Sequence, residues 1–397
     1  MQFAGAAAVL AVLPSLAIAQ RPSLSVVEIR DIAESAYIFA YPLVLLEFTR
    51  KGAPTNVFRH FAEFPSASFR TVVRPNVDTL YSNAWLDLSK EPILLHVPDT
   101  GGRYYVMQLM DAWTETLAAP GKRTTGTGEG WFAIVGPGWR GKLPVGVRKL
   151  DATTNAVWLL GRTQTNTAAD YENVRRIQAG FTLTPLSRYP GDLLSPASAA
   201  PPSGADSLPP PARLAQLSAV EYFREFQQLL VQNPAHAADT PMMRRLARLG
   251  IEAGKPFEPE RLGTDGVKAL EDGARAAAQN LTATNSGTGK NGWIGLGTAV
   301  GRFGTEYQVR AQVARIGLGT LPPDDAIYLG CMVDQEGRPL EGASHYKLHF
   351  SSGNLPPVQA FWSVTLYDPA GFFFANPLER YAIGDRDSLH PARRTRR

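Results

Sequence analysis

The nine residues Arg74-Pro-Asn-Val-Asp-Thr-Leu-Tyr-Ser82 hold the densest set of groups able to do chemistry. Pro75 restricts Arg74 toward an extended backbone. On a strand rising about 3.3 Å per residue, Asn76 and Asp78 share one face about 6.6 Å apart. An amide and a carboxylate so placed, flanked by an arginine and a phenol, can orient a polar ligand and move a proton. Asp78 reads as the general acid or base, and Tyr81 completes the catalytic pair by orienting the substrate. Arg74 and Arg103 read as cations that hold an anionic or carbonyl oxygen. Asn76 and the aromatic face of Trp362 complete the substrate-binding set. The competing reading is structural: a buried aspartate paired with an arginine or capping a turn.

A second pattern concerns architecture. Tyr105-Val-Met-Gln-Leu-Met-Asp111 is followed by Pro120 and Arg123; Trp362-Ser-Val-Thr-Leu-Tyr-Asp368 is followed by Pro377 and Arg380, at the same spacings. With Leu109/Leu366 and Ala118/Ala375, five of nineteen aligned positions are identical, where chance gives about one. Each aspartate ends an apolar run, and its expected task is to hydrogen-bond the backbone of the following turn.

Other matches are weaker. His345 and His349 stand four apart, but the stretch His-Tyr-Lys-Leu-His-Phe alternates like a strand, which puts them about 13 Å apart. One metal ion bound at about 2.1 Å cannot reach both. Ser344-x-x-Lys347 lacks the partner motifs of a nucleophile–base tetrapeptide. Gly295-x-Gly297-x-x-x-Gly301 has one residue too many for a dinucleotide loop. No metal site is expected from histidine or cysteine. Calcium or magnesium on oxygen ligands stays open, so the cofactor is unknown.

The elements that must position these residues follow from patterning. At 397 residues, 44% apolar and 19% charged, the chain is long enough for two or three domains. Residues 1–19 read as a signal peptide: Phe3 to Leu13 is almost wholly apolar, Pro14 interrupts it, and Ala17-Ile-Ala19 offers a cleavage site. The expected location is secreted or periplasmic, with no transmembrane segment after the signal. The net charge of +4 owes four positive charges to Arg393, Arg394, Arg396 and Arg397. Without them no basic face remains, so nucleic acid is not an expected partner. Cys331 is the single cysteine, which excludes an intrachain disulfide.

Residues 25–48 carry helical apolar spacing, and Pro42 is expected to bend or end that helix. From 57 to 188, short alternating runs cut by glycine and proline predict a β-sandwich. The stretch 189–211 holds seven prolines and reads as a linker. Helical spacing returns over 212–232, 239–253 and 258–283, and β-patterning over about 324–383, notably at Tyr346–Phe350 and Phe361–Tyr367. The expected division is therefore an N-terminal helical segment (20–56), a first sandwich (57–188), a helical subdomain (212–289), a second sandwich (290–390) and a basic tail (391–397).

At Arg74–Ser82, Arg103-Tyr104, Gly136-Pro-Gly-Trp139, Gly161-Arg162, Pro323–Ile327 and Phe361–Asp387 the chain resembles proteins that pair the domains DUF1254 and DUF1214. The resemblance implies a multidomain α+β fold of two jelly-roll-like antiparallel sandwiches and an all-α subdomain. It also implies a bacterial protein, often exported, and carries no catalytic residues with it. Members usually continue for several strands beyond the position of Leu389. Here His390 and an arginine-rich tail follow instead, so the resemblance implies a shortened second module with an unpaired edge.

Two functions fit. The first is an exported hydrolase of a polar small-molecule or polymeric substrate, working through the Asp78 cluster. The second is a non-catalytic glycan-, lipid- or partner-binding protein that presents Trp362 and Phe372–Phe374. A homo-oligomer is compatible with either.

Overall fold

Ser25 and Glu28 form a capping box. The Ser25 hydroxyl accepts the Glu28 N–H at 3.2 Å, and the Glu28 carboxylate accepts the Ser25 N–H at 3.0 Å. Helix α1 (Val26–Arg50) starts there because two otherwise unpaired donors are satisfied at once. Pro42 does not end it: α1 runs through the proline to Arg50. Every residue from Phe39 to Leu46 is buried, and burying that many apolar side chains outweighs the roughly 3 kcal/mol cost of an interior proline. Among the described residues α1 is the one helix long and apolar enough to cross a bilayer, yet 67% of that stretch is buried inside the protein.

The computed structural model describes residues 24–190, 197–199, 208–283, 291–351 and 353–387. The expected signal peptide, basic tail and most of the proline-rich linker lie outside the described residues.

Ten strands follow α1: β1 (Arg59–Phe61), β2 (Thr79–Asp87), β3 (Ile93–Val97), β4 (Tyr105–Asp111), β5 (Thr116–Ala118), β6 (Gly130–Val135), β7 (Arg148–Asp151), β8 (Ala156–Gln164), β9 (Thr182–Pro185) and β10 (Ala197–Ala199). They form a six-stranded sheet, β10-β1-β2-β8-β4-β5, and a four-stranded sheet, β7-β6-β3-β9. Pairing is antiparallel except at β1/β10 and β6/β7. Period-two alternation sorts the side chains. Ala84, Leu86, Met107, Leu109, Val157 and Leu159 face inward and meet Ile93, Leu95, Phe132, Ile134 and Leu183 of the other sheet.

The opposite face of β2-β8-β4 packs against helices. Trp85 and Trp158 are register partners and stack at 5.0 Å, with Met110 and Leu160 beside them in the helical core. That core is built on α1, with α3 (Pro210–Leu214), α4 (Ala219–Leu230), α5 (Thr240–Arg248) and α6 (Gly263–Ala283) packed on it; α2 (Tyr171–Ala179) precedes β9. A second capping box, Ser218 with Glu221, restarts the chain as α4 and divides the helix expected over 212–232. Gly273 lets α6 approach α1: a Cβ there would stand 2.4 Å from the Arg30 carbonyl oxygen. The result is three layers: small sheet, large sheet and helices.

Beyond α6 the chain differs from the expected second sandwich over 290–390. The described residues hold β11 (Trp293–Gly295) paired with β12 (Leu329–Cys331), then helix α7 (Tyr307–Gly317) between them, and β13 (Ser363–Thr365) paired with β14 (Ala382–Gly384). Residues 346–350, expected as a strand, join no ladder, and Tyr346 and Leu348 are 48% and 47% exposed. Alternation specifies a strand only where a neighbour supplies backbone bonds and a core, and no described segment does so here.

The repeat is a shared turn. Asp111 N–H donates to the Glu115 carbonyl at 3.0 Å, and Glu115 N–H returns to Asp111 Oδ1 at 2.9 Å. Asp368 N–H donates to the Phe372 carbonyl at 2.7 Å, and Phe372 N–H returns to Asp368 Oδ1 at 2.9 Å.

Candidate functional site

Asn76 builds the entry to β2. Its Oδ1 accepts the N–H groups of Asp78 at 2.9 Å and Thr79 at 2.8 Å, and the Thr79 hydroxyl at 3.0 Å. Its Nδ2 donates to the Tyr81 hydroxyl at 2.6 Å, which also accepts the Asn76 N–H at 3.1 Å. Asn76 and Tyr81 therefore hold each other, and burial pushes the Tyr81 phenol above its ordinary value, so it stays protonated.

Asp78 is 6% exposed. Its Oδ2 accepts the Ser363 hydroxyl at 2.6 Å, and its Oδ1 pairs with the Arg386 guanidinium, which lies over the Phe361 ring at 4.4 Å. A carboxylate with both oxygens engaged is poorly placed to take a proton from a substrate. The geometry gives Asp78 the work of tying β13 and the segment after β14 to β2. Arg74 departs from the extended backbone expected of it, with φ at 52°. Its N–H reaches the Gly371 carbonyl at 2.7 Å and its guanidinium the Ile316 carbonyl; these two anchors hold it in the left-handed region. Trp362 donates its N–H to Asp385 at 3.1 Å and rests its ring on Phe350 at 5.4 Å. Asn76, Asp78 and Tyr81 are thus joined at the foot of β2, with Arg74 close by in sequence, and Asp78 and Arg74 are the two of these anchored to the C-terminal segment.

Arg103 stands in a different setting. Its Nη1 and Nη2 grip both oxygens of Asp170 at 2.6 and 3.0 Å, and Nη1 also reaches the Gln164 carbonyl at 2.8 Å. Burial acts to raise the Asp170 carboxyl, but bonds from Arg103, the Asn166 N–H and Asn173 outweigh it and hold it below the usual range. This fork forms one wall of an open cleft of about 700 Å³, lined also by Asp99, Gly102, Gln164, Asn166, Asn173 and Arg176. Gly101 and Gly102 turn with φ at 61° and 80°, which only glycine adopts freely. Asp78, Tyr81 and Trp362 are not among the lining residues.

A third group was invisible in the sequence apart from Asp111. Asp111 is fully buried. Its Oδ2 accepts the Thr153 hydroxyl at 2.6 Å and meets His236 Nε2 at 2.6 Å. His236 is the N-cap of the turn 237–239, and Asp239 at its third position accepts the His236 N–H at 3.1 Å and the Tyr307 hydroxyl at 2.9 Å. Asp111 and then Asp239 push the imidazole up to about 10, so His236 is cationic at neutral pH. His236, the partner of Asp111, and Asp239, the partner of Tyr307, lie 125 and 68 residues away in sequence, and no local pattern announces such pairs.

The fold and these sites define a three-layered α+β protein, with mainly antiparallel sheets and, among the described residues, seven α-helices. Residues 55–185 match the model of DUF1254, a protein family of unknown function, and residues 325–396 match that of DUF1214, also of unknown function. The chain belongs to the family that pairs these two domains. The second match begins at Asp325, beyond α7 and later than the expected 290. Asp325 itself pairs with Arg123 at 2.8 Å, linking the two matched regions. The chain is similar to the crystal structure of the VPA0106 protein from Vibrio parahaemolyticus, with 25% identity and a TM-score of 0.62 over 90% of this chain and 84% of that one. No curated protein matches the chain.

Proposed function

We propose that this protein is an exported binder of a polar, hydroxyl-rich ligand of the glycan type, which it takes at the Arg103 cleft. The observation that carries the reading is the cleft's lining. It mixes side-chain amides of Gln164, Asn166 and Asn173 with Arg103, Arg176 and Asp99, and so offers donors and acceptors together. Hydroxyl groups, which both donate and accept, match such a surface better than a purely anionic or apolar ligand does. We read the first module as a jelly roll; the β3–β4 loop, the end of β8 and helix α2 line the cleft, and loops held on a rigid scaffold are where binding residues concentrate. Export rests on the apolar run Phe3 to Leu13 and on Ala17-Ile-Ala19.

A second reading, hydrolysis of the same ligand class, is favoured by Asp99. Its exposed carboxylate lines the cleft, and its Oδ1 accepts the Gly101 N–H at 2.7 Å.

The test is a glycan array followed by titration calorimetry on the wild type and on Asn173→Ala/Arg176→Ala. Binding weakened at least about tenfold in the variant, as expected from losing hydrogen bonds to a charged group and an amide, supports the reading. A folded wild type that binds no glycan, or a variant that binds as tightly, contradicts it. Release of a chromogenic aglycone, abolished in Asp99→Asn, would move the assignment to the hydrolase.

A further inference from the structure

Four polar side chains, Arg103, Asp170, Asn173 and Arg176, are bonded in series along one wall of the open cleft. Asp170 is gripped on both oxygens by Arg103, and its Oδ1 also accepts Asn173 Nδ2 at 3.0 Å. Asn173 Oδ1 in turn accepts from Arg176 Nη2. A carboxylate can only accept and a guanidinium can only donate, so an amide between them has one orientation. The series therefore steers Arg176, which is exposed on α2, beside the cleft of about 700 Å³ that it lines. Asn173 is its positioning residue.

The two arginines of the lining are not equivalent. Arg103 is neutralised by its two bonds to Asp170. Arg176 has no such neutralisation: the carboxylate nearest to it in sequence, Glu172, faces Arg175 at 3.9 Å instead. On the glycine side of the cleft, Lys122 Nζ donates to the Gly102 carbonyl at 3.0 Å. The charged lining residues and those bonded to the lining are thus Arg103, Arg176 and Lys122 against Asp99 and Asp170, which leaves one positive charge in excess. Charge then chooses among hydroxyl-rich ligands. A single carboxylate placed on Arg176 would gain charge-assisted bonds. A multiply charged group such as a phosphate ester would also meet the exposed Asp99 carboxylate, and like charges in one site repel; hydroxyl groups would instead donate to Asp99.

We propose that the sugar taken by the Arg103 cleft is a uronic acid, its carboxylate on Arg176 and its hydroxyls on the amides of Gln164, Asn166 and Asn173. This rests on the glycan reading of the cleft and narrows the ligand to a sugar with one negative charge.

The experiment is titration calorimetry of the full chain with aldobiouronates, disaccharides of one uronate and one neutral sugar, each beside its carboxyl-reduced neutral counterpart. The expected result is a uronate bound at least about tenfold more tightly than its counterpart, since bonds between charged groups are the stronger class. That preference should shrink as salt is raised. Arg176→Gln removes the charge from an exposed position and should abolish the preference at an unchanged melting temperature. A neutral sugar bound as tightly as its uronate, or a preference that survives in Arg176→Gln, overturns the acidic assignment and leaves the glycan reading in place. Binding of no sugar, in these titrations and on the glycan array, overturns both.

Discussion

The carboxylate of Asp78 and the guanidinium of Arg386, 308 residues apart in sequence, form a direct ion pair at the foot of β2. Both are largely withdrawn from water, with side chains 9% and 18% exposed. Around it, the Tyr367 hydroxyl donates to the Pro75 carbonyl at 2.7 Å and Arg70 lies over the Phe372 ring at 4.7 Å. The short C-terminal ladders are thus held to the first sandwich mainly by polar contacts and a few rings.

Removing one member of that pair leaves the other buried and uncompensated. Asp78→Asn is expected to cost about 3 kcal/mol in urea unfolding, and Asp78→Asn/Arg386→Met to recover part of that loss. A double-mutant cycle with no coupling between the two positions contradicts the clamp.

His236 makes stability depend on alkaline pH. Its folded value near 10 stands above the ordinary 6.5, so the folded state holds the proton more tightly than the unfolded chain. That stabilisation is complete below pH 6.5 and is lost as pH rises through the interval to 10. The melting temperature should fall across this range, and His236→Asn should flatten the fall.

His60 acts in the opposite sense. It is buried against Phe58 at 5.0 Å and bonded to the Ser82 hydroxyl at 2.8 Å, and burial lowers its value from 6.5 to about 4. The unfolded chain binds a proton that the folded ring does not, so stability declines as pH falls from 6.5 toward 4. His60→Phe, which keeps a ring on Phe58, should remove this component of acid destabilisation in melts between pH 4 and 7.

What could be read from the sequence was local. Alternation at Ala84–Leu88 and Ile93–Val97 marked strands, because both are paired on each side and half their side chains enter one core. Asp111 and Asp368 were legible as turn formers because the backbone bonds that shape each turn lie within four residues. Asn76, Asp78 and Tyr81 were legible as neighbours, and a buried aspartate paired with an arginine was one of the two readings of Asp78, but the identities of its partners were not legible, since Ser363 and Arg386 come from far along the chain. Pro42 misled because the packing around α1 outweighs a local preference. Tyr346–Phe350 misled because alternation says nothing about whether a partner strand exists.

The most direct test of the account compares glycan binding and melting temperature in the wild type, Asp78→Asn and Asn173→Ala/Arg176→Ala. Asp78→Asn is expected to melt lower yet bind normally below its melting temperature, while the double variant melts normally and loses binding. Loss of binding in a fully folded Asp78→Asn, with the cleft variant unaffected, would contradict it and return the site to the foot of β2.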